Sequence, residues 1–463
     1  MGTVMKDLLF KPLSLPVEDM TDARVMKKVL QRQLAGFDSG ALVIEECRVL
    51  ESSYKSYFRE NSVNKTFLSV GYELIVSDAI RRKTGKQVFY ARAYPDAQSL
   101  KEFHDTKLRV LKKPRFGEPV SFLPKLNAII YAFPNDPELP HLAHAVSGAY
   151  LRKHLPYKRL PLGFHTHGYI PLFDVDIVNY KPEQTCDMRY RLYSIRYGYE
   201  NPLEICGKTY RDFRGQEVYK NISKFIQAAL QSEDAFVTPR PLGYSGKIKT
   251  LWLESVDAKP LKRFISPTKN LDLLEKTGAS LAWLHQQSIT EKSVKQRRVF
   301  ATEFLRKAQK LAEAYPRIRK SLLPLTVRLN AGTSKLSARD LRQIHGKFKL
   351  KQIYSNQGKI YLFNLDALTY GDPTKDLACF LIDLNLCGFS RPCLNSMIDA
   401  FLDGYASRNG FIDYERLSWH IAVKSINKAY RLWHYEQNRA DVSNEIKRII
   451  EFFNLVEERM IAA

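Results

Sequence analysis

IHGKFKLKQIYSNQGKIYLFNLDALTYGDPTKDL, from Ile344 to Leu377, is the stretch on which the reading of this chain turns. His345-Gly346 opens a loop, and Gln352-Ile353-Tyr354 alternates toward an Asn356-Gln357-Gly358 turn. Lys359 to Phe363 then reads as the returning strand. Two short alternating runs joined by a turn containing Asn and Gly predict a β-hairpin. Beyond it, Gly371-Asp372-Pro373 punctuates the chain, and Asp376 falls where a carboxylate caps or braces the start of a helix.

The segment resembles the catalytic region of the aminoglycoside phosphotransferase and choline kinase-like superfamily, which has the protein kinase fold. Its pattern runs H-G-D, then Asn after four residues, a hairpin, an I-D-x-D-like strand end and G-D-P-x-x-D-L-A. This chain keeps His345, Gly346, Asp366 and the block from Gly371 to Ala378. It departs at three chemical positions. Lys347 stands for the catalytic Asp, Gln352 for the metal-binding Asn and Asn364 for the first Asp of the strand end. A general base must accept a proton, which a Lys ammonium does not do unless its pKa is strongly lowered. Magnesium favours hard anionic oxygens, so Asn364 and Gln352 leave Asp366 as the one obvious carboxylate ligand. The resemblance thus implies His345 and Asp366 beside a degenerate position 347, with Asp366, Asn364 and Gln352 as the metal set.

Upstream, Ala41–Leu50, Phe67–Ser77 and Gln87–Tyr94 read as strands, and Gln98–Val110 as a helix. The order recurs in Ile170–Tyr180, Asp187–Tyr197 and Leu203–Tyr210, with a helix from Gln216 to Leu230. Tyr72 and Tyr190 are 118 positions apart (190 − 72), and Tyr94 and Tyr210 are 116 (210 − 94). A shared offset points to a duplicated strand-strand-strand-helix unit, with chance similarity of two antiparallel sheets as the competing account. In the second copy the resemblance makes Lys208 the nucleotide-phosphate lysine and Glu217 its carboxylate partner. The first copy has Arg92 at that place. The turn that would cover phosphates, Asn179 to Thr185, has no glycine; Lys181 supplies a charge or belongs to a plain turn.

Asn127 to Pro137 predicts a buried strand and turn, followed by a helix through Leu151. His141, His144, His165 and His167 lack a neighbouring acid or Cys cluster, so no metal centre is expected there. Thr250–Val256 reads as the strand entering a hinge, and Leu271–His285 as a helix. Phe300–Leu323 reads as a basic amphipathic helix interrupted near Pro316, and Leu394–Met460 as helices.

The chain has 463 residues, 44% of them hydrophobic, enough for a sizeable core and for more than one domain. Six cysteines without a C-x-x-C pair argue against a zinc site or disulfide framework and suit a reducing cytoplasm. No apolar run is long enough to span a bilayer, and neither a secretion signal nor a myristoyl anchor is expected from the first residues. The formal net charge of +23 favours acidic partners or marks a simply basic soluble protein, since it is spread over Lys27-Lys28, Arg81-Arg82-Lys83, Lys112-Lys113, Arg297-Arg298 and Lys347, Lys349 and Lys351 rather than collected in one tail.

The expected fold class is α+β: a protein kinase-like two-lobed domain preceded by an N-terminal α+β region that repeats the small-lobe topology. Expected boundaries are 1–165 for that region, 166–256 for the small lobe and 257–463 for the mainly helical large lobe. The expected function is a degenerate phosphotransferase, a pseudokinase acting by nucleotide or partner binding, with ATP and Mg2+ held weakly or not at all. One alternative is an ATP-dependent small-molecule kinase acting on an alcohol group, with another base such as Asp372. The other is a basic scaffold or nucleic-acid-binding subunit. Expected partners are accordingly a nucleotide or anionic small molecule, or an acidic protein or nucleic acid.

Overall fold

A computed structural model describes residues 17–59, 62–94, 98–107, 111–165, 170, 172–196, 198–266, 271–291, 301–332, 340–435 and 442–462. The expectations at Pro95-Asp96, Thr166, His167, Tyr197, Arg297-Arg298 and Phe300 lie outside the described residues. Contacts divide the chain into a first unit, 1–215 with 243–252, and a second, 216–242 with 253–463.

The first unit begins with α1 (Val17–Thr21) and α2 (Ala23–Gln33). Asp22 caps α2, accepting the Arg24 amide at 2.7 Å and the Val25 amide at 3.3 Å. There follow β1 (Leu42–Arg59), β2 (Ser62–Asp78), β3 (Lys83–Ala93), α3 (Gln98–Lys107), β4 (Val120–Leu123) and β5 (Ala128–Ala132). The sheet order is β1-β2-β3-β5-β4. Gln87 to Ala93 is buried at every position, because a central strand covered on both faces leaves no residue facing water.

The plan then repeats. Helices α4 (Leu142–Ala145) and α5 (Gly148–His154) stand where a single helix was expected, with Ser147 between them. After them come β6 (Leu172–Lys181), β7 (Thr185–Ser194), β8 (Gly198–Tyr210), α6 (Arg214–Ala229), β9 (Pro241–Ser245) and β10 (Thr250–Glu254). Their order, β6-β7-β8-β10-β9, reproduces that of the first sheet. Tyr72 on β2 and Tyr190 on β7 are both fully buried. Each donates its hydroxyl to a backbone carbonyl of a preceding helix, Met20 at 2.6 Å and Ala145 at 3.1 Å. The two sheets thus share strand order, a helix after the third strand and a buried tyrosine anchor.

In the second unit, which includes α6 from Gln216 onward, β11 (Lys259–Pro260) precedes α7 (Leu271–His285), which has the expected ends. The expected basic helix is interrupted as its proline requires, into α8 (Ala301–Ala314), a 3-10 turn (Pro316–Ile318) and α9 (Arg319–Ala331). The hairpin region contains β12 (Arg342–Ile344), β13 (Ile353–Asn356), β14 (Lys359–Leu362) and β15 (Thr369–Gly371). Helices α10 (Thr374–Asn385), α11 (Arg391–Ser407), α12 (Tyr414–Tyr435) and α13 (Val442–Ala462) complete it. Strands β11, β13 and β14 form one small sheet, while β12 pairs with β15. The β13–β14 turn places Gln357 at φ 49° and Gly358 at φ 74°, the left-handed pair that a tight hairpin demands. Helices α7 and α11 cross through two glycines. A Cβ on Gly278 would lie 2.0 Å from the Phe401 carbonyl oxygen, and one on Gly404 would lie 2.0 Å from that of Glu275.

The described residues therefore form an α+β structure in which two five-stranded sheets share one strand order.

Candidate functional site

The loop from His345 to Phe348 is shaped by one carboxylate. Asp376, fully buried in the first turn of α10, accepts the amides of His345 (2.6 Å), Gly346 (3.3 Å) and Phe348 (3.4 Å). His285 Nε2 lies 3.7 Å from the same carboxylate, and its Nδ1 bonds the Tyr405 hydroxyl at 2.8 Å. Burial alone raises the Asp376 pKa, but the imidazoles of His285 and His345 and the amides around the carboxylate outweigh it and hold the group below the ordinary range. Gly346 sits at φ 76°, and a Cβ there would meet the Ala367 carbonyl oxygen at 2.5 Å. Glycine is needed on both counts.

His345 is fully buried, and burial lowers its pKa despite the Asp376 charge. Its Nδ1 accepts the Lys347 amide at 3.3 Å, and Nε2 faces the Phe363 carbonyl at 3.4 Å. That pattern suits a neutral ring protonated at Nε2. The residue positions the loop.

The Lys347 side chain is exposed, whereas Gln352 is buried in a 3-10 turn (Leu350–Gln352) rather than on the expected strand. Gln352 Oε1 has no hydrogen-bond partner among the described residues. Asn364 adopts the left-handed conformation (φ 63°, ψ 61°) that Asn tolerates better than most residues, and Asp366 follows it half-buried. As a resident-metal site this set does not fit: it offers one carboxylate and two neutral amides. Among the described residues no group of three His, Cys, Asp or Glu side chains is arranged to hold a metal ion.

One further expectation is corrected. Asp372 is not placed as a substitute base. Its Oδ1 accepts the Thr374 amide at 3.0 Å and hydroxyl at 2.6 Å, while Oδ2 lies 3.2 Å from His420 Nε2 and 3.8 Å from Arg416 Nε. Burial acts to raise its pKa, but the His420 and Thr374 bonds prevail and lower it, so its affinity for a proton is reduced. Of the three lysines counted toward an acidic partner, Lys347 and Lys351 are exposed. Lys349 is half-buried, its pKa lowered by burial against the opposing charge of Asp383, whose Oδ2 accepts the Leu350 amide at 3.2 Å.

In the first unit Lys208 lies on β8, and the carboxylate beside it is Asp187 of β7, 3.6 Å away. Sequence reasoning did not single out Asp187. The 118-residue offset places it opposite Ser69, which faces Arg92 on β3 as Asp187 faces Lys208 on β8. Glu217 is exposed in the first turn of α6. Lys181 is half-buried at the end of β6, paired in register with Thr185. At the tip of the turn after it, Glu183 is buried and ion-paired with Arg92.

No protein-family model matches the chain, and no curated protein matches it. Solved structures do. A putative aminoglycoside phosphotransferase from Ralstonia eutropha aligns with 67% of this chain and 95% of its own, at 12% identity and a TM-score of 0.45. An amicoumacin kinase in complex with AMP-PNP and Ca2+ aligns over 60% and 87%, at 12% identity and a TM-score of 0.40. The choline kinase LicA from Streptococcus pneumoniae aligns over 61% and 93%, at 15% identity and a TM-score of 0.36. The likeness is one of fold. Among the described residues no helix is long and apolar enough to cross a membrane.

Proposed function

We propose that this protein is a degenerate phosphotransferase, a pseudokinase that binds a nucleotide or an acidic partner without turning nucleotide over. The observation that carries the reading is the contrast at position 347. The loop keeps its buried Asp376 brace and its obligatory Gly346, yet the side chain it presents there is a lysine. A cation at this point attracts anions and takes no proton from an alcohol. The surrounding oxygens add one carboxylate, Asp366, which is thin neutralisation for a magnesium-triphosphate transition state. The small-molecule kinase alternative loses its candidate base, because Asp372 is engaged by Thr374 and His420.

The test is calorimetric titration of ATP, with and without Mg2+, into the wild-type protein and the Lys208→Ala variant, alongside a measurement of ADP release. Expected are binding that does not require Mg2+, at least tenfold weakening in the variant, and no ADP above the uncatalysed background. ADP release by the wild type that disappears in Asp366→Ala overturns the pseudokinase reading in favour of an active kinase. Absence of binding at millimolar ATP removes the nucleotide and leaves a macromolecular partner, sought by salt-dependent association with acidic protein or nucleic acid.

A further inference from the structure

The first unit buries a charged cluster centred on Arg92. Arg92, 6% exposed on β3, uses all three of its guanidinium nitrogens. Nη1 donates to Glu102 of α3, Nη2 donates to Glu183, and Nε donates to the Tyr90 hydroxyl at 3.0 Å. The guanidinium lies 4.8 Å from the Phe67 ring centroid. Glu102 is fixed in turn by the hydroxyls of Tyr94, at 2.6 Å, and Tyr131. Tyr90 donates its hydroxyl to Glu183.

Glu183 belongs to neither β3 nor α3. It arrives from the second sheet, at the tip of the β6–β7 turn, with φ at 65° in the left-handed region that side chains other than Gly and Asn seldom adopt. Asp136 holds the same turn, accepting the Glu183 amide at 2.8 Å and the Tyr180 hydroxyl at 2.6 Å. A strained backbone position and a buried cluster of one guanidinium with two carboxylates both work against stability compared with an apolar contact. Their coincidence calls for another account.

The geometry points to an anion site formed by Arg92, Tyr90 and Glu102, whose resident anion is the chain's own Glu183 and whose external ligand is a phosphate or phosphomonoester. Arg92 Nη2 and the Tyr90 hydroxyl converge on one oxygen of Glu183, and a phosphate oxygen accepts from the same two donors. Glu102 holds the guanidinium in place whichever anion is present. The turn acts as a plug: once Glu183 leaves, one carboxylate remains beside Arg92 and the left-handed strain relaxes.

This inference does not depend on nucleotide binding, and its probe is inorganic phosphate. Calorimetry with phosphate compares the wild type, Glu183→Gln, and Glu183→Gln combined with Arg92→Lys. Glu183→Gln keeps the size of the plug and removes its charge. The expected result is phosphate binding at least tenfold tighter in Glu183→Gln than in the wild type, with the gain lost in the double variant. Equal affinities for the wild type and Glu183→Gln overturn the inference, as does a gain that survives Arg92→Lys. Amide hydrogen exchange of the wild-type β6–β7 turn gives an independent reading, and decides alone where Glu183→Gln does not fold. Exchange at Glu183 and Gln184 should rise at least fivefold in 100 mM phosphate relative to chloride of equal ionic strength. Unchanged exchange refutes displacement of the plug.

Discussion

Replacing Asp376 by Asn tests the claim that one buried carboxylate shapes the loop. The substitution keeps the side-chain size and removes the charge. Asp376 Oδ2 takes the His345 amide at 2.6 Å and the Gly346 amide at 3.3 Å, so an Asn oxygen turned that way retains both as neutral bonds. Hydrogen bonds to charged groups contribute about 1.5–3 kcal/mol against about 1 for neutral ones, so the short bond loses about 1 kcal/mol. The long bond to Gly346 changes little. The Asn amino group then faces the Phe348 amide, which had Oδ1 at 3.4 Å, and two buried donors confront each other at a cost of about 1–3 kcal/mol. The sum is close to 3 kcal/mol. For a unit of this size it lowers the melting temperature by about 6–12 °C. Urea unfolding followed by tryptophan fluorescence is suited to the measurement, because Trp283, Trp419 and Trp433 all belong to the second unit. A loss below about 1 kcal/mol would refute the brace, since it would mean that the three amides are satisfied without the charge.

Acidification tests the buried ring of His345. Its folded pKa is lowered below the unfolded value of 6.5, so below that pH the unfolded chain takes up a proton that the native ring refuses. Stability therefore falls as pH drops below 6.5, until the lowered folded pKa is reached, by up to about 1.4 kcal/mol per unit. His345→Gln should remove that share of the slope in urea titrations; identical slopes in the two proteins contradict the assignment. The share must be read as a difference, because His141 and His154 are lowered by burial as well. Gly278→Ala tests the α7–α11 crossing. Helix propensity favours alanine by about 1 kcal/mol, but a Cβ placed 2.0 Å from the Phe401 carbonyl oxygen forces the helices apart. Overpacking of this kind costs about 3 kcal/mol, so a net loss near 2 kcal/mol is expected in urea unfolding, and unchanged or increased stability rules the close crossing out.

What the sequence determined by itself is local or periodic. Helix α7 was legible because its ends and its apolar run are written in consecutive residues, and the hairpin because Asn356-Gln357-Gly358 names its own turn. The repeat showed through Tyr72 with Tyr190 and Tyr94 with Tyr210, two pairs at nearly the same offset. The three departures at Lys347, Gln352 and Asn364 needed no coordinates either, because the side-chain type alone decides what accepts a proton or binds a cation.

The tertiary structure decided which charge meets which. Asp376 was legible as a brace, but His285 and Tyr405 behind it come from α7 and α11. Lys349 counted among the charges spread along the chain until α10 set Asp383 beside it. Arg92 and Glu183 are 91 residues apart, and nothing near either announces the other. Backbone conformation is selected largely by sterics among neighbouring residues, whereas a buried charge is paired by whatever element the chain brings back to it. That return depends on how sheets and helices pack, and only the folded chain expresses it.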